Sequence, residues 1–409
     1  MSYIKQNKIK GTNIYMILVS IILIIYAIID MQTSTNSGIK EADRSMVYVF
    51  LAVTIFLMGS YKFSIDNKLN QSTLTNMMMV LTGWVIFVNV VNSVSIWAVM
   101  THIGLSVWWI SSYGYFYKYL NSSEKSLKYI KLLFVFMFCF YFISFFYALL
   151  TFSEKYNNIP VLNISYYILV FSPLIFISNS RSIKIIGFIA TLIIIGVSMK
   201  RGAIVAFPFM IAAMFLTDAI IKKKGFKSFV KIIGILILFF VVLLIANHFS
   251  GGFLFSRFGA EQLAFGSNRS TNYSAAFRDI MNRSLLTMLT GKGSGSSELL
   301  LGTGVHNEWL EFGYSFGIIG VIIYLFFIGA IIKKYLFLVK NKSIYASAYS
   351  MALVYIIIIG MVGGIYFVHS TFYIMAFFGI VGNLSDKEIA SRSRGNDEKN
   401  RIDNFSQII

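Results

Sequence analysis

Long apolar runs follow one another along most of this chain, separated by short basic loops. A helix needs roughly 20 apolar residues to cross a hydrocarbon layer. Inside that layer only helices or closed barrels satisfy every backbone polar group. Such runs lie near residues 13–30, 46–63, 74–92, 95–117, 130–151, 159–178, 183–199, 202–221, 229–248, 307–332, 344–364 and 367–384. The pattern predicts an all-α polytopic membrane protein with about 12 transmembrane helices. Composition agrees, since charged residues make up 13% of the chain, against about a quarter in soluble proteins.

The formal net charge of +18 would suit a nucleic-acid partner, but its distribution argues otherwise, because Lys and Arg collect in cytoplasmic loops and orient the helices. With both termini inside, 25 of the 35 basic residues fall in cytoplasmic segments. Lys5, Lys8 and Lys10 precede the first run, and no small-residue cleavage site follows it, so we read that run as a retained helix. The single Cys139 sits within an apolar run, which leaves no disulfide framework.

One long polar stretch interrupts the pattern, from Arg257 to Gly320. The expected organisation is transmembrane helices 1–9 over residues 1–248, an extracytoplasmic loop with an amphipathic helix over 249–306, helices 10–12 over 307–384, and a cytoplasmic tail over 385–409. The polar composition of that tail predicts disorder from Ser385. Five of the ten external cations lie in the loop: Arg257, Arg269, Arg278, Arg283 and Lys292. Two more, Lys200 and Arg201, interrupt two apolar runs on the same side.

These cations and the end of the loop carry the candidate chemistry. An ionisable pair at membrane depth, as at Lys200-Arg201, is a functional candidate, with snorkelling of long side chains as the plainer account. A helix beginning at Arg201 would add its N–H groups to the attraction for an anion. Tyr273, Phe277, Ile280, Met281 and Met288 recur at helical spacing, which predicts an amphipathic helix on the membrane surface, with Arg278, Asn282 and Arg283 on its polar face. Asp279 and Arg283 stand four apart and are expected to pair. Arg269 has no local acidic neighbour and is better suited to grip a phosphate, with Arg278 the runner-up. His306 lies where the loop enters a helix, and an imidazole can take a proton near neutral pH. Glu308 and Glu311 fall in the first turn of that helix, where negative charge is favoured. His102, His248 and His369 are read as structural. Gly313, Gly317 and Gly320 have the small-xxx-small spacing of close helix packing. Gly291-Lys292-Gly293-Ser294-Gly295 lacks the spacing of a nucleotide-binding phosphate loop.

The run His306-Asn307-Glu308-Trp309-Leu310-Glu311, followed by Gly313, Gly317 and Gly320, resembles the signature of the O-antigen ligase/polymerase family (WaaL/Wzy-like). The Ser198-Met199-Lys200-Arg201-Gly202 turn is similar to that family's Ser-x-x-Arg-Gly. Arg269, followed by an aromatic residue and then Gly291-Lys292-Gly293, is similar to its loop Arg before a Gly-x-Gly. The chain departs from the pattern in Lys200 before Arg201 and in Tyr273, where Trp is commoner. The resemblance implies a GT-C membrane fold and a metal-independent, inverting glycosyltransferase at the periplasmic face of a bacterial inner membrane, with no cofactor. Its implied partners are an undecaprenyl-diphosphate-linked oligosaccharide, membrane lipid and a chain-length regulator, with no nucleic acid. His306 would be the catalytic base. Arg201, Arg269, Arg278 and Lys200 would serve the diphosphate, with Asn307 and Glu308 in support. The His306 to Glu311 run is more similar to the O-antigen polymerase than to the ligase that moves finished polymer to lipid A core. From another class, a lipid-linked oligosaccharide flippase would also have about 12 helices, but with charges near the bilayer midplane and short loops.

Overall fold

The computed structural model describes residues 73–92, 96–119, 124–156, 164–178, 180–223, 225–259, 269–302, 304–364 and 371–406. The helices expected near 13–30 and 46–63 lie outside these residues, as does His369. All regular structure among the described residues is helical. In chain order the helices are α1 (Thr73–Val91), α2 (Ile96–Tyr119), α3 (Glu124–Tyr156), α4 (Ile164–Ile177), α5 (Arg181–Val197), α6 (Arg201–Lys222), α7 (Gly225–Phe249), α8 (Phe253–Ser256), α9 (Arg269–Met281), α10 (Leu285–Thr290), α11 (Ser296–Leu301), α12 (Glu308–Lys340), α13 (Ala346–Val362) and α14 (Thr371–Ser406). Five of these, α1, the Ile130–Thr151 part of α3, α6, α7 and α12, are long and apolar enough to cross a membrane; α4 and α13 are shorter apolar helices. Their outward faces carry large apolar side chains such as Phe226, Ile237 and Phe326, as expected where the surrounding solvent is hydrocarbon.

Hydrogen bonds between helices define two ends. At one end, α1 finishes beside the loop: the Asn92 side chain donates to Gly291 O, and the Ser294 N–H donates to Asn89 Oδ1. The start of α6, the start of α12 and the finish of α13 meet at that same end. At the other end Lys334 pairs with Asp386, Tyr117 donates to Asp386, and Ser347 donates to Asp218. Lys222, Lys340, Lys342 and Arg392 gather at this second end. Lys200-Arg201, the long loop and His306 therefore share one end, and Lys222, Lys334, Lys340, Lys342 and Arg392 share the other.

Three expectations are corrected. The tail after Ser385 is helical and continues α14, because Asp386 takes Lys334, Glu388 takes the Ser343 hydroxyl, and Arg392 donates to Asn341 O. The single amphipathic helix is two, α9 and α10, with a turn capped by Ser284 between them. Its supposed apolar face divides: Ala276 is buried, with Tyr273 and Ile280 packed beside Val305 and Tyr314 in a small second core, while Phe277 and Met281 point outward. Arg283 does not lie on a polar face either, because its side chain is 3% exposed and held by Asp279.

The third correction concerns the glycines. Gly317 does not serve close packing of a straight helix; with φ 69° and ψ −176° it breaks α12 in two. The carbonyls that lose helical partners there are taken by outside donors. Tyr314 O accepts from the Lys292 N–H and from Arg283 Nη1, Ser315 O from the Gly293 N–H, and Phe316 O from Trp84 Nε1. The Gly291–Gly293 turn is thus a backbone clasp seated in the break, which gives those glycines a structural use. This backbone region is essentially confined to glycine, and a Cβ at Gly317 would collide with Leu289 O. Gly317→Ala is expected to cost about 1–3 kcal/mol from backbone strain alone, seen as a lowered thermal midpoint in detergent; an unchanged midpoint would contradict this account of the clasp.

Candidate functional site

The turn between α5 and α6 is built tightly. Ser198 is fully buried; its hydroxyl donates to Ile195 O at 3.0 Å and accepts from the Lys200 N–H at 3.3 Å. Met199 takes φ 52°, a strained choice for a side chain with a Cβ. That bend places Lys200 at the cap and Arg201 as the first residue of α6, which meets the condition under which the helix's N–H groups would add to the attraction for an anion. A Cβ at Gly202 would press on the Tyr166 hydroxyl and on Val362 Cγ2, so those side chains would have to shift.

Arg257, at the end of α8, completes this turn. Its Nη1 donates to Met199 O at 2.6 Å, while Arg201 Nη1 donates back to Arg257 O at 3.1 Å. The two arginines therefore brace one another through backbone carbonyls, and both guanidinium groups stay at the same end of the bundle.

The loop brings in the remaining groups by a shared anchor. The last carbonyls of a helix lack intrahelical partners and attract cationic donors. At the end of α13, Val362 O accepts from Arg269 Nη1 at 3.0 Å, and Met361 O accepts from the Asn307 side chain at 3.1 Å. Arg269 opens α9 and Asn307 caps α12, its Oδ1 accepting from the Leu310 N–H. Consecutive carbonyls of one helix thereby hold the arginine and the residue next to His306. The Tyr273 hydroxyl adds a bond to His306 O at 3.2 Å, and His306 itself adopts φ 60°.

Below His306, Glu308 is fully buried in the first turn of α12. Glu311 is the main brace. Its carboxyl oxygens accept from the Ser297 hydroxyl at 2.5 Å, the Ser315 hydroxyl at 3.0 Å and the Val305 N–H at 2.9 Å.

The electrostatics show which charges have gathered. Burial and the positive charges of Arg269, Arg257 and Arg201 hold the Lys200 amine down to about 8. Burial, Arg201 and Arg269 also lower Arg257. The His306 imidazole is lowered from the usual histidine value by burial, then by Arg269 and Lys200, although the residue remains open to solvent. Four cations and an imidazole thus repel one another, and Arg257 and Arg269 form no ion pair among the described residues. A cluster of like charge costs free energy that a bound anion would return. Tyr166 lies in the same cluster, with Lys200 Nζ 5.4 Å from its ring centre.

Of the residues picked from sequence, Lys200, Arg201, Arg269 and His306 come together, with Asn307 and Glu308 beneath them. Arg278 does not join: it is exposed on α9 and, among the described residues, bonds the Ser274 carbonyl one turn back. Arg283 pairs with Asp279 as expected, and Lys292 shares that carboxylate. Burial acts to raise Asp279, but hydrogen bonds from Lys292, Arg283 and Tyr314 prevail and lower it. His102 packs against Phe316, in keeping with its structural reading. Sequence reasoning listed Arg257 among the loop cations without singling it out as a site residue, and nothing in the sequence marked Tyr166. No family model and no curated protein matches this chain.

Proposed function

We propose that this chain is a membrane glycosyltransferase, a surface-polysaccharide polymerase of the O-antigen type. It transfers glycan from undecaprenyl diphosphate to the hydroxyl of an acceptor sugar. The observation that supports this reading is the gathering of Lys200, Arg201, Arg257 and Arg269 beside His306 at one end of the bundle. In the reaction the acceptor oxygen attacks the anomeric carbon and gives its proton to the His306 imidazole. The bond from that carbon to the phosphate oxygen breaks, its electron pair leaves with the diphosphate, and configuration inverts. Guanidinium groups aimed at the leaving diphosphate stabilise the charge that develops there. The site end is read as periplasmic, because the opposite end holds Lys222, Lys340, Lys342 and Arg392.

The test is reconstitution of the purified protein with a lipid-diphosphate-linked oligosaccharide, with product length resolved. Formation of multi-repeat glycan is expected. Arg201→Ala and Arg269→Ala are each expected to raise KM for the donor by about tenfold or more, since a hydrogen bond to a charged group contributes about 1.5–3 kcal/mol. Arg278→Ala is expected to change little. Native kinetics in an Arg201→Ala/Arg269→Ala double variant would sink the reading. Transfer of preformed polymer without chain growth would identify a ligase instead.

A further inference from the structure

A groove of about 260 Å³ lies far from His306, between α3, α4, α5 and α14. Its floor is apolar and buried, formed by Phe134, Phe171 and Ile380, while Val135 and Ile186 on its walls are exposed. Lys131 lines one end of the groove and Cys139 lies deeper along the same helix. At 1.5 Å per residue the two are roughly 12 Å apart along the axis. Leu384, also in the lining, is just ahead of Asp386, which pairs with Lys334 at the end of the bundle opposite His306.

The mouth of this groove is basic. Lys128 stands one turn before Lys131 on α3, and Arg181 and Lys184 flank Ile183 on the facing wall. None of the four makes an ion pair among the described residues, and no acidic side chain lines the groove. An apolar slot opening outward between helices of the bundle, one of them apolar and long enough to cross a membrane, with cations at one end, suits a lipid with a negatively charged headgroup. A peptide would leave backbone groups unsatisfied against this lining, and a zwitterionic lipid would leave the four cations uncompensated.

We propose that this groove binds an anionic phospholipid of the surrounding bilayer, in the leaflet opposite the candidate catalytic cluster. One acyl chain lies along Phe134, Phe171 and Ile186, and the headgroup phosphate sits between Lys131 and Lys184, with Lys128 and Arg181 at the rim. This site is independent of the glycosyltransferase reading and stands or fails without it.

The experiment uses the full chain in neutral detergent, with native mass spectrometry against phosphatidylglycerol and phosphatidylcholine. Phosphatidylglycerol is expected to be retained at about tenfold lower concentration or better. Lys131→Ala/Arg181→Ala/Lys184→Ala is expected to abolish that preference. Ile186→Trp, which fills the groove and leaves every charge in place, is expected to abolish retention and so covers the case in which the triple variant fails to fold. Cys139, the only cysteine of the chain, reports the location: phosphatidylglycerol is expected to slow its labelling by a maleimide. Equal retention of the two lipids by the unmodified chain, a preference that survives both variants, or unchanged Cys139 labelling overturns the proposal. Equal protection of Cys139 by inorganic phosphate would overturn it in favour of a simple anion site.

Discussion

Alanine at His306 is expected to slow glycan transfer by about 10²–10⁴-fold, the usual contribution of a positioned general base, with little change in donor affinity. Burial, Arg269 and Lys200 all disfavour the protonated form of the imidazole. These effects favour the neutral imidazole, the form able to accept the hydroxyl proton. The sign of the pH effect follows: transfer holds at neutral pH and falls as pH drops through a value below that of an ordinary histidine. A plot of kcat/KM against pH is expected to show this acidic limb, and the limb is expected to vanish in His306→Ala. A His306→Ala protein that still polymerised at the native rate would remove His306 from the catalytic role, and one that moved lipid-linked glycan across vesicles with full activity would replace the catalytic reading with transport.

Removing the Glu311 carboxyl group is expected to be the most disruptive single change to the loop. It would strand the buried Ser297 and Ser315 hydroxyls and the Val305 N–H together. Each orphaned buried donor costs about 1–3 kcal/mol, less for hydroxyls that can turn to another acceptor. Glu311→Ala should therefore lower stability by at least about 2 kcal/mol, measured as the thermal midpoint in detergent. It should also loosen Val305, whose N–H bond fixes the residue before His306. Glu311→Gln keeps one acceptor oxygen but sets an amide N–H against those donors, so an intermediate loss is expected. An unchanged midpoint in Glu311→Ala would show that water replaces the carboxyl group and that the brace carries no weight.

Much of the local architecture was legible before the tertiary structure. Apolar runs marked the long helices among the described residues, Asn307 was placed at a helix start, and the four-residue spacing of Asp279 and Arg283 foretold their pair. The apolar run near 202–221 placed a helix there, and it opens at Arg201. Each of these depends on neighbours within about two helical turns, which sequence spacing encodes directly.

The failures share a different cause. Gly317 was assigned to packing because GxxxG spacing is a local pattern, whereas its left-handed backbone is dictated by a clasp from Gly291–Gly293 and by Trp84 from α1. The tail was expected to be disordered because its composition is polar, and it is helical because Lys334, Ser343 and Asn341 hold it from other elements.

The chain's periodicity by itself determined a helical protein with spans apolar enough to cross a membrane, because burial in hydrocarbon constrains every turn of such a span. Which of the cations meet His306 was decided only by the fold. Arg257 reaches Arg201 across 56 residues and Arg269 reaches Val362 across 93. The orphaned carbonyls at Met199, Met361 and Val362 exist as acceptors only once those turns and helix ends have formed.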